Sequence, residues 1–237
     1  MEKNVRKAHA VLDEQSRTVK ARKIHTILAS ATSLENVKML EVGSGSGVIA
    51  EYFSKICSVT AVDKKDQRVT TEGYKFEEIS GTTLPFLDGE FDVVVSNHVI
   101  EHVGESKDQQ HHLDEIYRVL SNDGILYVAV PNKWRFVEPH YSLPFLSWLP
   151  AKISSFYLSL FKKCDFYDCI PLTRSELKRL LTTSGFSWQD KTKMAIETYI
   201  SQESLSPFKL ILFKMLKFVF LTVGRPFIPT IIFLGVK

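Results

Sequence analysis

The stretch Val37-Lys38-Met39-Leu40-Glu41-Val42-Gly43-Ser44-Gly45-Ser46-Gly47 decides the fold. Val37 to Val42 is a short apolar run that reads as a buried strand, and it ends in glycines at every second position. Such glycines let the backbone turn sharply and let a ligand approach closely. Ser46 to Lys55 reads as a helix, so strand, turn and helix follow in order, which makes a Gly-rich turn more informative than it is alone. The N–H groups at a helix start favour a carboxylate or a phosphate.

The alternation continues outward from this turn. Ser58 to Val62 is a second strand closed by Asp63, Tyr74 to Ile79 a weaker third and Phe91 to Ser96 a strong fourth. Lys107 to Leu120 is an amphipathic helix with Gly124 behind it as a stop, and Ile125 to Val130 is a fifth strand ended by Pro131. Upstream, Asn4 to Ala31 carries apolar residues at helical spacing and predicts one or two helices. Downstream, Thr173 to Thr183 predicts a helix with a Thr173–Glu176 capping box and Gly185 as terminator. Thr192 to Tyr199 and Thr230 to Val236 are expected as the last two strands, antiparallel at the sheet edge. Apolar strands separated by helices specify an α/β fold: a doubly wound, Rossmann-like, mostly parallel sheet of seven strands with helices on both faces.

Composition excludes a disordered or fibrous chain, since 44% of the 237 residues are hydrophobic and 24% charged. A net charge of +3 is too mild to argue for nucleic acid, and none is expected as a partner. The odd set Cys57, Cys164 and Cys169 argues against a disulfide scaffold and for a reducing, cytoplasmic setting. The charged N-terminus shows no apolar leader. Cys164 and Cys169 lack a second ligand pair, so both read as packing residues and no metal is expected.

The even mixture of charge and apolar residues ends near Lys133. One domain over 1–237 is expected, with N-terminal helices over 1–31, an apolar insertion over 134–171 and an apolar basic segment over 205–228. Leu205 to Lys237 contains Lys209, Lys214, Lys217, Arg225 and Lys237 and no acid. Pro207 to Leu221 reads as a basic amphipathic helix, too short and charged to span a bilayer but suited to a membrane surface. Tyr141 to Phe161, with Trp148 and flanking Lys152, Lys162 and Lys163, is a second candidate contact. The alternative is that both stretches cover the sheet or form a dimer interface; the oligomeric state stays open.

Two ligand classes compete for the turn. A dinucleotide wants Gly-x-Gly-x-x-Gly, and Val48 stands at the last position of that fingerprint. Asp63, about twenty residues after the turn, suits the ribose hydroxyls of either class. Glu41 discriminates better: beside a pyrophosphate it is repulsive, beside the ammonium of an amino acid attractive. The pattern favours an adenosyl amino acid.

Glu41 to Gly47, Asp63, Leu84-Pro85-Phe86 leading to Phe91-Asp92-Val93-Val94, Glu101-His102-Val103, and Arg118-Val119-Leu120 with Gly124 resemble class I S-adenosylmethionine-dependent methyltransferases. The subgroup most similar contains ubiquinone-type and other small-molecule methyltransferases. The resemblance covers Val37 to Pro131 and Leu172 to Phe186, and it is specific for the cofactor rather than the acceptor. It implies that Gly43, Ser44, Gly45 and Gly47 approach the methionine and ribose parts, that Glu41 attracts the ammonium, and that Asp63 holds the ribose with Lys64 bordering the adenine. Ser80-Gly81 stands where family members often carry an acid for the adenine amine, so backbone groups take that role here. Asn97 and His98 are placed near the methionine portion and the sulfur.

Methyl transfer from a sulfonium is an in-line displacement, helped by alignment and exclusion of water. A base is needed only for an alcohol, phenol or acidic carbon. The candidates are His98, His102 and His140, with Glu101 behind; a structural hydrogen bond is the plainer role for His102. His140 and Tyr141, past the fifth strand, are candidate acceptor-binding residues. The expected function is methyl transfer from S-adenosylmethionine to an oxygen or carbon of a small or lipid-linked acceptor. A protein or RNA methyltransferase and a non-catalytic S-adenosylmethionine-binding regulator are the alternatives.

Overall fold

A computed structural model describes residues 14–138, 141–163, 167–202 and 224–237. The first helix, α1, spans Glu14–Ala29, followed by β1 (Lys38–Val42), α2 (Val48–Ser54), β2 (Ser58–Asp63), β3 (Lys75–Glu78) and β4 (Phe91–Asn97). A short 3-10 turn at Ile100–His102 leads to α3 (Ser106–Val119) and β5 (Leu120–Pro131). The insertion holds a small hairpin, β6 (Val137–Glu138) with β7 (Leu143–Pro144), and α4 (Ala151–Leu160). Then come α5 (Arg174–Thr183), β8 (Ser187–Asp190), α6 (Thr192–Gln202) and β9 (Thr230–Val236).

Seven strands form one sheet in the order β3-β2-β1-β4-β5-β9-β8. β3, β2, β1, β4 and β5 pair in parallel, and β9 runs against both its neighbours. The strand order reverses between β1 and β4, the place where open parallel sheets bind ligands at their carboxyl ends.

Alternation along β1 splits the core. Leu40 and Val42 face a cluster with Leu113, Ile116, Leu177 and Phe233, under α3 and α5. Met39 faces the opposite cluster with Ile24, Phe53, Val95 and Tyr127, under α1 and α2. Burial on both sides is why β1, β4 and β5 read as continuous apolar runs. The Thr173–Glu176 box is formed: the Glu176 N–H donates to Thr173 Oγ1 at 3.2 Å, and the Thr173 N–H donates to Glu176 Oε2 at 2.7 Å.

One expected strand is corrected. Thr192 to Tyr199 lies in α6, and the sheet's edge strand is instead Ser187–Asp190. Thr192, Ala195 and Thr198 are buried at a spacing of three, a helical period that outweighs the β-branched residues present. Asp190 starts that helix, its Oδ1 accepting the Thr192 N–H at 3.0 Å. The antiparallel pairing expected at this edge is made by β8 and β9. The segment expected as a basic helix over Pro207 to Leu221 lies outside the described residues, as do His140 and Cys164.

Candidate functional site: the carboxyl edge of β1, β2 and β4

The glycine turn is built by backbone strain that only glycine takes easily. Gly43, Gly45 and Gly47 all have positive φ, at 79°, 53° and 80°. The Gly43 N–H donates to the Val62 carbonyl at 2.8 Å, tying the turn to β2. A Cβ on Gly43 would strike Val99, and one on Gly47 would strike the Tyr74 hydroxyl and the Thr70 carbonyl. The segment after β2 therefore packs directly on the turn, and the Val69 N–H donates to the Ser46 carbonyl at 2.9 Å.

Glu41 is buried on β1, one residue before Val42, and its Oε2 has no hydrogen-bond partner. Burial pushes its carboxyl up to about 8, although the Arg17 guanidinium from α1 and the Ala50 N–H pull the other way. Burial likewise lowers the Arg17 guanidinium, which Glu41 partly restores. The Ser44 hydroxyl and the Asn97 amide nitrogen are also buried without partners, the latter at the end of β4. Unpaired buried polar atoms are costly in a fold that needs them only for packing. Here they gather at the carboxyl edges of β1 and β4.

Asp63 closes β2. Its Oδ2 accepts the Gly45 N–H at 2.8 Å and its Oδ1 accepts the Lys64 N–H at 2.7 Å. Each carboxylate oxygen has a lone pair left for a ligand hydroxyl. The Ile79 N–H donates to the Asp63 carbonyl at 2.9 Å, which brings the loop with exposed Ser80 and Gly81 to the same edge.

His98 follows β4 in a left-handed conformation, φ 60°, with its N–H donating to the Ala129 carbonyl at 2.8 Å. Its Nδ1 lies 3.4 Å from Oε1 of Glu101, and Nε2 of His102 lies 4.0 Å from the same oxygen. Glu101 is fully buried and His98 is 30% exposed, so the imidazole is the accessible member of the pair. Burial pushes the Glu101 carboxyl up, but contact with His98 and His102 holds it below its usual value. Behind them His112 is buried, shares a 3.0 Å hydrogen bond with Ser96 Oγ, and is driven by burial down to about 4, hence neutral at pH 7.

The insertion returns to this edge. The Ile170 N–H donates to the Glu101 carbonyl at 2.8 Å, and Cys169 Sγ lies 3.8 Å from His102 Nδ1. Tyr141 is held within the insertion, its hydroxyl donating to Asp168 at 3.2 Å and its N–H to Glu138 at 2.8 Å. Arg135, Glu138, Tyr167 and Cys169 interact electrostatically there, with burial lowering Arg135 and raising Tyr167. Sequence reading alone misses Arg17, Thr70, Tyr74, Val99, His112 and Arg135; Arg135, set between Trp134 and Phe136, carried a signal, whereas Arg17, between Ser16 and Thr18, carried none. Among the described residues, no group of three or more His, Cys, Asp or Glu is placed to hold a metal ion, and no helix is long and apolar enough to cross a membrane.

This edge, with its left-handed glycine turn beside a buried carboxyl oxygen that has no hydrogen-bond partner, belongs to a fold shared with methyltransferases. Residues 40–128 of the chain match the family described as methyltransferase domain. The chain is 24% identical over 139 residues to a ubiquinone biosynthesis O-methyltransferase of Pelagibacter ubique, covering 52% of this chain and 55% of that protein. It is 27% identical over 158 residues to a probable S-adenosylmethionine-dependent methyltransferase of Mycolicibacterium smegmatis, covering 64% and 52%. The chain thus spans about half the length of these curated relatives. An S-adenosylmethionine-dependent methyltransferase from Mesorhizobium loti shares the fold, with a TM-score of 0.61, 9% identity and coverage of 92% and 100%.

Proposed function

We propose that this protein transfers a methyl group from S-adenosylmethionine to an oxygen or carbon of a small or lipid-linked acceptor. The observation that carries the reading is the buried Glu41 carboxyl, whose Oε2 has no hydrogen-bond partner, beside a glycine turn anchored by Asp63. Glu41 offers an anion to the ligand's ammonium, and Asn97 Nδ2 offers a donor to its carboxylate. Asp63 offers its remaining lone pairs to the ribose, while Gly43, Ser44, Gly45 and Gly47 leave room for close approach and Lys64, Ser80 and Gly81 border the adenine side. When bound, the sulfonium supplies an electrophilic methyl whose C–S bond breaks as the bond to the acceptor forms.

His98 takes the proton of a hydroxyl or acidic carbon, and Glu101 behind it steadies the imidazolium that results. His102, set between Glu101 and Cys169, positions Glu101. Tyr141 and the insertion form the acceptor side. Two relatives named as O-methyltransferases, from Pelagibacter ubique and a Caulobacter strain, support an oxygen acceptor.

The test is incubation of the protein with methyl-labelled S-adenosylmethionine and, separately, a lipid extract, a small-molecule extract and RNA. Label in either of the first two supports the reading, and His98→Asn should cut the rate about 100-fold or more. Label only in RNA or protein, or none at all despite cofactor binding, contradicts it.

A further inference from the structure

We propose that the outward stripe of α4 docks this protein on an anionic lipid surface. Ile153, Phe156 and Leu160 are 52%, 69% and 66% exposed. Their spacing of three and four residues puts them on one face of the helix, about 60° wide at 100° per residue. The opposite face is the buried one: Ser154 and Leu158 are fully covered, and Ser154 Oγ donates to the Leu146 and Leu149 carbonyls at 3.2 and 3.1 Å. The helix is thus fixed to the protein by a mixed polar and apolar face and turns its larger apolar residues outward. Helices of water-soluble proteins do the reverse.

The chain leading into α4 adds aromatic surface. Phe136, 51% exposed, stacks on Phe227 at 5.0 Å, and Trp148 lies edge-on to Phe145 at 5.0 Å.

Charge decides the occupant. Lys152 precedes the stripe, and Lys162 and Lys163 follow it, all exposed. From residue 139 to residue 163 the sequence contains no acid. A second copy of the chain meeting this face through a self-complementary interface would bring its own Lys152, Lys162 and Lys163 towards these lysines. A surface of anionic headgroups over hydrocarbon satisfies both the lysines and the stripe, because lysine reaches the headgroups while its stem lies along apolar surface. The inference is independent of the acceptor and of the methyl transfer itself.

Vesicle flotation of the full chain tests it, with phosphatidylcholine alone and with phosphatidylcholine containing phosphatidylglycerol. The protein should float with anionic vesicles at low salt and not with the zwitterionic ones, and binding should fall as salt screens the lysines. The pair Phe156→Ser and Leu160→Ser should weaken binding about tenfold or more, and the pair Lys162→Glu and Lys163→Glu comparably. These residues are exposed, so both variants should melt like the parent, and an unchanged melting temperature separates lost docking from lost folding. Flotation that survives both pairs of changes overturns the proposal, as does no flotation at low salt. A dimer in light scattering that Phe156→Ser dissolves, without vesicle binding, assigns the face to a second copy instead.

Discussion

Asp63 holds the glycine turn from the neighbouring strand: its Oδ2 accepts the Gly45 N–H at 2.8 Å, across eighteen positions of sequence. The same carboxylate is proposed to receive the ribose, a second role beside shaping the turn. Asp63→Ala should lower affinity for S-adenosylmethionine about 10- to 100-fold, the loss expected for hydrogen bonds to a charged group. Asp63→Asn keeps one acceptor and should fall between. Calorimetric titration measures both, and parent-like affinity in the alanine variant contradicts the assignment.

Glu41 gives a pH-dependent signature. Its carboxyl, ordinarily near 4.5, is raised by burial to about 8, so it is mostly protonated at pH 7 without ligand. A ligand ammonium favours the ionised form, so binding should release close to one proton at pH 7 and strengthen as pH rises towards 8. Titrations in buffers of different ionisation enthalpy report that proton. Glu41→Gln should abolish the release and weaken binding.

The same shift predicts stability. The unfolded carboxyl ionises near 4.5 and the folded one near 8, so the unfolded state binds fewer protons between those values and stability falls as pH rises through that window. Glu41→Gln removes this dependence. At pH 9, without ligand, the glutamine variant should melt above the parent. An identical melting temperature at pH 9 and at pH 4 would contradict the burial of this carboxylate.

Gly47 and Gly81 share positive φ, 80° and 77°, but not surroundings. A Cβ on Gly47 meets Tyr74 and the Thr70 backbone, whereas Gly81 has nothing within 4 Å. Gly81→Ala should cost about 1 kcal/mol, the strain of left-handed backbone alone. Gly47→Ala should cost about 2 kcal/mol more, since backbone must move as well. Denaturant unfolding separates the two.

Arg118 explains why two distant stretches of the sequence belong together. Its Nη2 donates to the Leu84 carbonyl at 2.9 Å and its Nη1 to the Phe86 carbonyl at 2.8 Å, while Glu115 accepts from Nε at 2.8 Å. Arg118→Ala should destabilise by about 2 kcal/mol. Its exposed partner Asp88 should cost under about 0.5 kcal/mol when replaced by alanine.

The sequence is most legible where the local run itself sets the geometry. β1, β2, β4 and β5 are apolar on both faces, and the turn after β1 needs glycine at positive φ. β8 is missed because its four residues are mostly polar and cover only an edge. α6 is misread because Thr192, Ile196 and Thr198 resemble strand, although Asp190 just ahead marks a helix start. The approach of Arg17 to Glu41, of Tyr74 to Gly47 and of Cys169 to His102 is set by chain crossings that no local pattern announces.

Equilibrium binding of S-adenosylmethionine to the full chain, compared with its Glu41→Gln variant, tests the central claim most directly. Saturable binding at one site, lost or much weakened in the variant while the fold is kept, is the predicted result. No binding by the parent chain, or equal binding by the two proteins, would contradict it.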